Sequence, residues 1–121
     1  MHKISLNKFN IFKKEVLKWV QLLGLTQYDV HTKHEQLDDT MGQCSYSNQA
    51  KWALISLAKE TESTVPITED LVKKIARHEV LELLLSNLRD AACNRNKTED
   101  EVDAVIHEVI QTLLNTVIKG K

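Results

Sequence analysis

The chain has 121 residues, 42% of them hydrophobic and 27% charged, which excludes intrinsic disorder and suffices for one modest core. Residues 1–121 are therefore expected to form a single domain. Sixteen Lys and Arg stand against seventeen Asp and Glu, a formal charge of −1, so composition offers no field for nucleic-acid or membrane-surface binding.

The N-terminal stretch "MHKISLNKFNIFKK" lacks an apolar h-region and a small-residue cleavage site. A signal peptide is not expected, and the default location is cytoplasmic. Residues 6–22 read as an amphipathic helix, with Leu6, Phe9, Phe12, Val16, Trp19, Val20 and Leu23 at three- and four-residue intervals and Gly24 placed to end it. "LTQYDVHTKHEQL" alternates around Tyr28, Val30 and Leu37 and predicts a first strand. "DDTMG" at 38–42 carries turn chemistry, and "QCSYSNQAKWALISLA" supplies two further strands around a polar turn at 47–49.

Pro66, the only proline, closes a polar connection. Thr68 then predicts an N-cap, with Glu69 and Asp70 in the first turn where the helix dipole favours them. That helix is expected to run to about Cys93. After "CNRNK", Thr98 and Glu101 form a capping-box pattern opening a last helix to about Ile118. Its apolar stripe is Val102, Val105, Ile106, Val109, Ile110, Leu113 and Val117. No internal repeat or low-complexity segment is visible. A helix, about three short strands and two helices define an α+β fold. No apolar run spans a bilayer.

The chemistry concentrates in "IARHEVLELLLSNLRD", residues 75–90, where an imidazole and two carboxylates interrupt an apolar helix. His78 and Glu82, four residues apart, project from one side of it. Helical projection places them in the sector of Leu71, Ile75 and Leu85, taken as core-facing, with Glu79 at the rim. Burying such groups without partners costs several kcal/mol, roughly. A divalent cation removes that cost, because donors at i and i+4 suit a tetrahedral Zn2+. The acidic residue after the first ligand is placed to act as general base. The standard pattern is H-E-x-x-H; here "HEVLE" puts Glu82 at the second ligand position. The third ligand has to come from elsewhere, with His107 in "DAVIHEVIQTLL" first and Asp103 second. A salt bridge from Glu82 to Arg89 is the alternative account of the glutamate.

The layout resembles the minimal zincins, small metallopeptidase-like proteins of phages and prophages related in architecture to SprT-like and ImmA/IrrE-like domains. The resemblance rests on "LGLTQYDV" at 23–30, "AKWALISLA" at 50–58, "RHEVLELLLSNL" at 77–88 and "IHEVIQTLLN" at 106–115. It spans residues 10–117. It implies His78 as a metal ligand, Glu79 as catalytic base, His107 as third ligand, zinc as cofactor and peptide-bond hydrolysis as activity. Glu82 departs from the family's histidine. The partner is then a protein or peptide, held by β-augmentation on a sheet edge, expected at the strand ending in "ALISLA". The alternative is a non-catalytic protein of the same fold that binds and modulates a host or viral protein.

Other residues read more simply. His31 and His34 lie three apart on a strand and point to opposite faces, which argues against a shared metal. Trp19 and Trp52 are core or interface aromatics, and Tyr46 is a candidate oxyanion stabiliser or a core-edge aromatic. "NRNK" at 94–97 with Arg89 forms a small basic cluster at a helix end. Cys44 and Cys93 have no CxxC spacing and read as half-buried thiols in a reducing compartment.

Overall fold

The computed structural model describes residues 2–94 and 96–118; Arg95 of the basic cluster lies outside the described residues, as does the side chain of Val117 from the last apolar stripe. The fold is α+β. A short strand β1 (His2–Lys3) leads into helix α1 (Leu6–Leu22), followed by strands β2 (Asp29–His34), β3 (Gly42–Ser47), β4 (Trp52–Leu57) and β5 (Glu60–Thr61). Helices α2 (Glu69–Leu84), α3 (Ser86–Cys93) and α4 (Glu99–Leu113) complete the chain, with a π-helical turn at Leu114–Ile118.

Helix α1 begins where the Ser5 hydroxyl accepts a hydrogen bond from Lys8 N at 3.2 Å. It ends in a Schellman motif: Leu25 N donates to Val20 O at 2.9 Å and Gly24 N to Gln21 O at 3.1 Å, with Gly24 at φ +69°. Its buried Phe12, Val16 and Val20 recur every four residues and form the face turned to the core. Thr68 caps α2 by accepting from Leu71 N at 3.1 Å, and Thr98 caps α4 by accepting from Glu101 N at 3.2 Å. All three caps satisfy amide donors that the first helical turn leaves free.

The main sheet has the order β2-β4-β3. Strand β4 is central, parallel to β2 and antiparallel to β3, with Ile55 paired to Thr32 on one side and Cys44 on the other. Ala53, Ile55 and Leu57 point into the core, where α1 and α2 pack against each other and against the sheet. The polar side chains of Asp29, His31, Lys33, Gln43, Ser45 and Ser47 alternate with the inward ones, as a sheet covered on one face requires. Strands β1 and β5 form a separate antiparallel pair, His2 opposite Thr61. Two-residue strands have no detectable alternation, so nothing in the sequence pattern announces them.

Glu15 joins the two core helices. Its buried carboxylate accepts from Trp19 Nε1 at 2.9 Å and from Arg77 Nε of α2 at 2.8 Å. Burial alone would raise its pKa, but the hydrogen bonds from Arg77 and Trp19 outweigh it and hold the carboxyl below its ordinary value. The long helix expected to Cys93 is instead interrupted at Leu85. The reason is Ser86, fully buried, whose hydroxyl lies 2.6 Å from Leu83 O and 3.0 Å from Asn48 Oδ1. Such a back-bond competes with the helical ladder. Asn48 also donates to Asp90 at 2.6 Å and pairs with the Tyr28 hydroxyl, so the β3–β4 turn is tied to α3 and to the start of β2.

Helix α2 lies so close to β3 that a Cβ at Gly42 would fall 2.6 Å from Ile75 Cγ2 and 3.1 Å from Glu79 Oε2. The Ile75 methyl sits on a β-branched carbon and has little freedom to give way. Gly42→Ala is expected to destabilise the protein by about 1–3 kcal/mol. Denaturant unfolding of the single variants and of Gly42→Ala/Ile75→Ala checks this: the double variant should lose less than the sum of the two.

Candidate functional site

The site forms where α2 faces the beginning of β3. The buried stripe of α2 is Val72, Ala76, Glu79, Val80, Leu83 and Leu84. This sector is rotated by about one residue, ~100°, from the one projected from the sequence. Glu79 consequently points inward, with the residue 8% exposed, while the His78 side chain is 69% exposed and that of Glu82 30%. The expectation that His78 and Glu82 face the core with Glu79 at the rim is corrected. Apolar periodicity alone places a helix face only loosely, and a glutamate is not counted among the core-forming residues that define it.

His78 Nε2 and Glu82 Oε1 are 3.6 Å apart. Two donors sharing a tetrahedral ion at about 2 Å lie ~3.3 Å from each other, so this pair fits two corners of one cation site. The second oxygen of Glu82 accepts from Arg89 of α3 at 2.7 Å, the ion pair weighed as the alternative in the sequence. Arg89 in turn stands beside Tyr46 of β3. His107 lies exposed on α4, whose Val105 and Val109 line a cleft with Leu25, Tyr28 and Leu84. Asp103 is exposed as well. Among the described residues, no group of three or more His, Cys, Asp or Glu side chains could hold a metal ion.

A cleft of about 560 Å3 opens at this point, with Glu35, Asp38, Gly42, Cys44, His78 and Glu79 in its wall. Loss of hydration raises the Glu79 pKa; His78 lowers it in part and the Glu82 charge adds to the rise. Cys44 faces the same carboxylates, and burial together with the charges of Glu79 and Glu82 pushes its thiol up to about 12. It is a protonated, unreactive thiol at neutral pH. Tyr46 also titrates above its ordinary value, through burial first and then Asp90.

The edge expected to receive a substrate strand is corrected. Strand β4, which carries "ALISLA", is paired on both sides and has no free edge. Strand β3 has β4 on one side and no strand on the other among the described residues, and it is β3 that passes over Glu79. Gly42 is the site residue whose role the sequence reading missed, having been read only as part of a turn. The available signal was a glycine two positions before a half-buried Cys in an alternating segment.

The remaining candidates separate. His31 is exposed and lies 3.1 Å from Asp29, whereas His34 stacks on Phe9 with ring centroids 5.0 Å apart. The two histidines take opposite faces of β2, as expected. Trp19 hydrogen-bonds Glu15, and Trp52 is exposed. Cys93 is exposed, not half-buried. No helix of the described residues is long and apolar enough to cross a membrane.

Because the raised pKa of Glu79 means that the fold favours its neutral form, that stabilisation is complete at low pH and is lost as pH rises through the folded-state value. Glu79→Gln is expected to be more stable than wild type at neutral pH, with the difference narrowing as pH falls and vanishing below the ordinary glutamate pKa. Denaturation midpoints of both proteins across that range check the sign.

Compared with family models, curated proteins and solved structures, the chain has no significant match.

Proposed function

We propose that the chain is a zincin-like hydrolase of peptide bonds, in which His78 and Glu82 hold a divalent cation, Zn2+ first, and Glu79 is the general base. The observation that supports this reading is a single juxtaposition. His78, one of the two donors 3.6 Å apart, and the buried Glu79 line one cleft with Gly42 and Cys44 of β3, whose outer edge carries no strand among the described residues. A bound divalent cation would supply Lewis-acid activation of water and of a scissile carbonyl.

The chain's own residues do the rest. The outer edge of β3 offers main-chain donors and acceptors that align an extended segment across the cleft. Glu79, buried in the cleft wall next to His78, is placed to accept a proton from the attacking water. Arg89 holds one oxygen of Glu82 and leaves the other turned toward His78, a constraint that fixes ligand orientation.

A second reading has its own support. Arg89 already neutralises Glu82, and no three-donor group stands assembled among the described residues. On that reading the protein is non-catalytic and modulates a partner protein bound at the same edge.

Zinc titration separates the two. Under the hydrolase reading, wild type carries stoichiometric metal and gains about 2.7 kcal/mol of stability at a hundredfold excess of free zinc over Kd. His78→Ala and Glu82→Ala lose the gain, and Glu79→Gln keeps it while losing hydrolysis. His107→Ala reports the third position: a lost gain places it on α4, an unchanged one leaves it to solvent. Wild type with no metal and no zinc-induced stabilisation would overturn the hydrolase and leave the binding protein.

A further inference from the structure

The charged residues of this nearly neutral chain are not evenly spread. Helix α1 alone carries Lys8, Lys13, Lys14 and Lys18 against a single glutamate, and that glutamate is committed to Arg77. The Gly42 end of β3 is the reverse. Beside the cleft at His78 and Glu79 lies a second one of about 770 Å3, walled by the 36–41 loop and by residues 60–63. The two share Gln36, Leu37, Asp38 and Thr40, so they form one continuous groove.

Six carboxylates line that groove, those of Glu35, Asp38, Asp39, Glu60, Glu62 and Glu79, and neither wall contains a lysine or arginine. Glu35 is partly compensated by Lys33 at 3.9 Å. Asp38, Asp39, Glu60 and Glu62 have no ion-pair partner among the described residues. Four uncompensated carboxylates on a concave surface focus a negative potential that internal pairing does not cancel. A cationic occupant would meet that potential favourably.

We propose that the segment docking on the free edge of β3 is an extended, basic peptide, with lysine or arginine at alternating positions. This deepens the reading given above and rests on its assignment of β3 as the docking edge, not on the metal. An added strand continues the sheet, so its side chains alternate between the two faces and every second one projects toward the helix side, where the His78–Glu79 end of the groove lies; the end walled by residues 36–41 and 60–63 continues beyond Gly42. Basic side chains at those positions meet the Asp38, Asp39 and Glu62 carboxylates as the segment runs past Gly42. Acidic segments are rejected by the same charges, which makes the groove a specificity element for substrate or partner.

The test measures binding of fluorescein-labelled decapeptides to the full chain by anisotropy. One peptide alternates lysine with valine, and its counterpart replaces each lysine with glutamate. The lysine peptide is expected to bind at least about tenfold more tightly than the glutamate one, and to weaken as salt screens the groove. Asp38→Asn/Asp39→Asn/Glu62→Gln, all at exposed positions, should remove most of that preference. Amide exchange should slow within residues 42–47 on addition of the lysine peptide. Equal affinity for the two peptides, no binding of either, or protection elsewhere than β3 would overturn the proposal. Zinc binding and hydrolysis without a basic preference would sink this inference and leave the hydrolase standing. Basic preference at β3 without zinc binding would do the opposite.

Discussion

The architecture of the site depends on how closely α2 approaches β3 at Gly42. A helix packed on a sheet is normally held off by side chains from both elements. Here one of them is absent, and the backbone of β3 comes down onto Ile75 and Glu79. That approach buries the Glu79 carboxylate and turns His78 and Glu82 toward the rim. It also leaves the outer edge of β3 directly above them. With any larger residue at position 42 the strand would ride higher and the cleft would lose its floor.

Two buried carboxylates show what partners do to a charge. Glu15 and Glu79 are comparably sheltered from solvent. Glu15 has Arg77 and Trp19 within hydrogen-bond distance and is held ionised; it fastens α1 to α2. Glu79 has only His78 in its favour, against desolvation and Glu82, and its proton is held more tightly. A carboxylate kept buried without a structural partner weakens the fold, and such groups gather where chemistry or recognition uses them.

Much of this was legible in the chain. The limits of α1, the Thr68 and Thr98 caps and the Gly24 terminator follow from local chemistry, and local chemistry decided them. The order of strands in the sheet was not legible. Nothing in "ALISLA" distinguishes a central strand from an edge strand except its nearly continuous apolar character, which both readings share. The break at Leu85 coincides with a buried Ser86 whose hydroxyl also reaches Asn48, thirty-eight positions away, a contact that no local pattern announces. The buried face of α2 lies one residue from the one its apolar periodicity indicates, because Glu79 occupies a core position that tertiary packing, not propensity, permits. His78 and Glu82 were recognised as a pair from their spacing alone, and the pairing is present.

The sheet order also sets the sequence in which the molecule can assemble. Ser47 and Trp52 meet across a turn at residues 48–51, whereas Asp29 must find Trp52 with the whole of β3 between them. Loop-closure entropy makes the β3–β4 hairpin the early event and β2 the late one. Until β2 arrives, β4 presents an unpaired edge rich in leucine and isoleucine, the kind of edge through which chains associate wrongly. Docking of β2 therefore completes the native sheet and closes its most adhesive edge, so the yield of folded protein should depend on how fast that one parallel pairing forms.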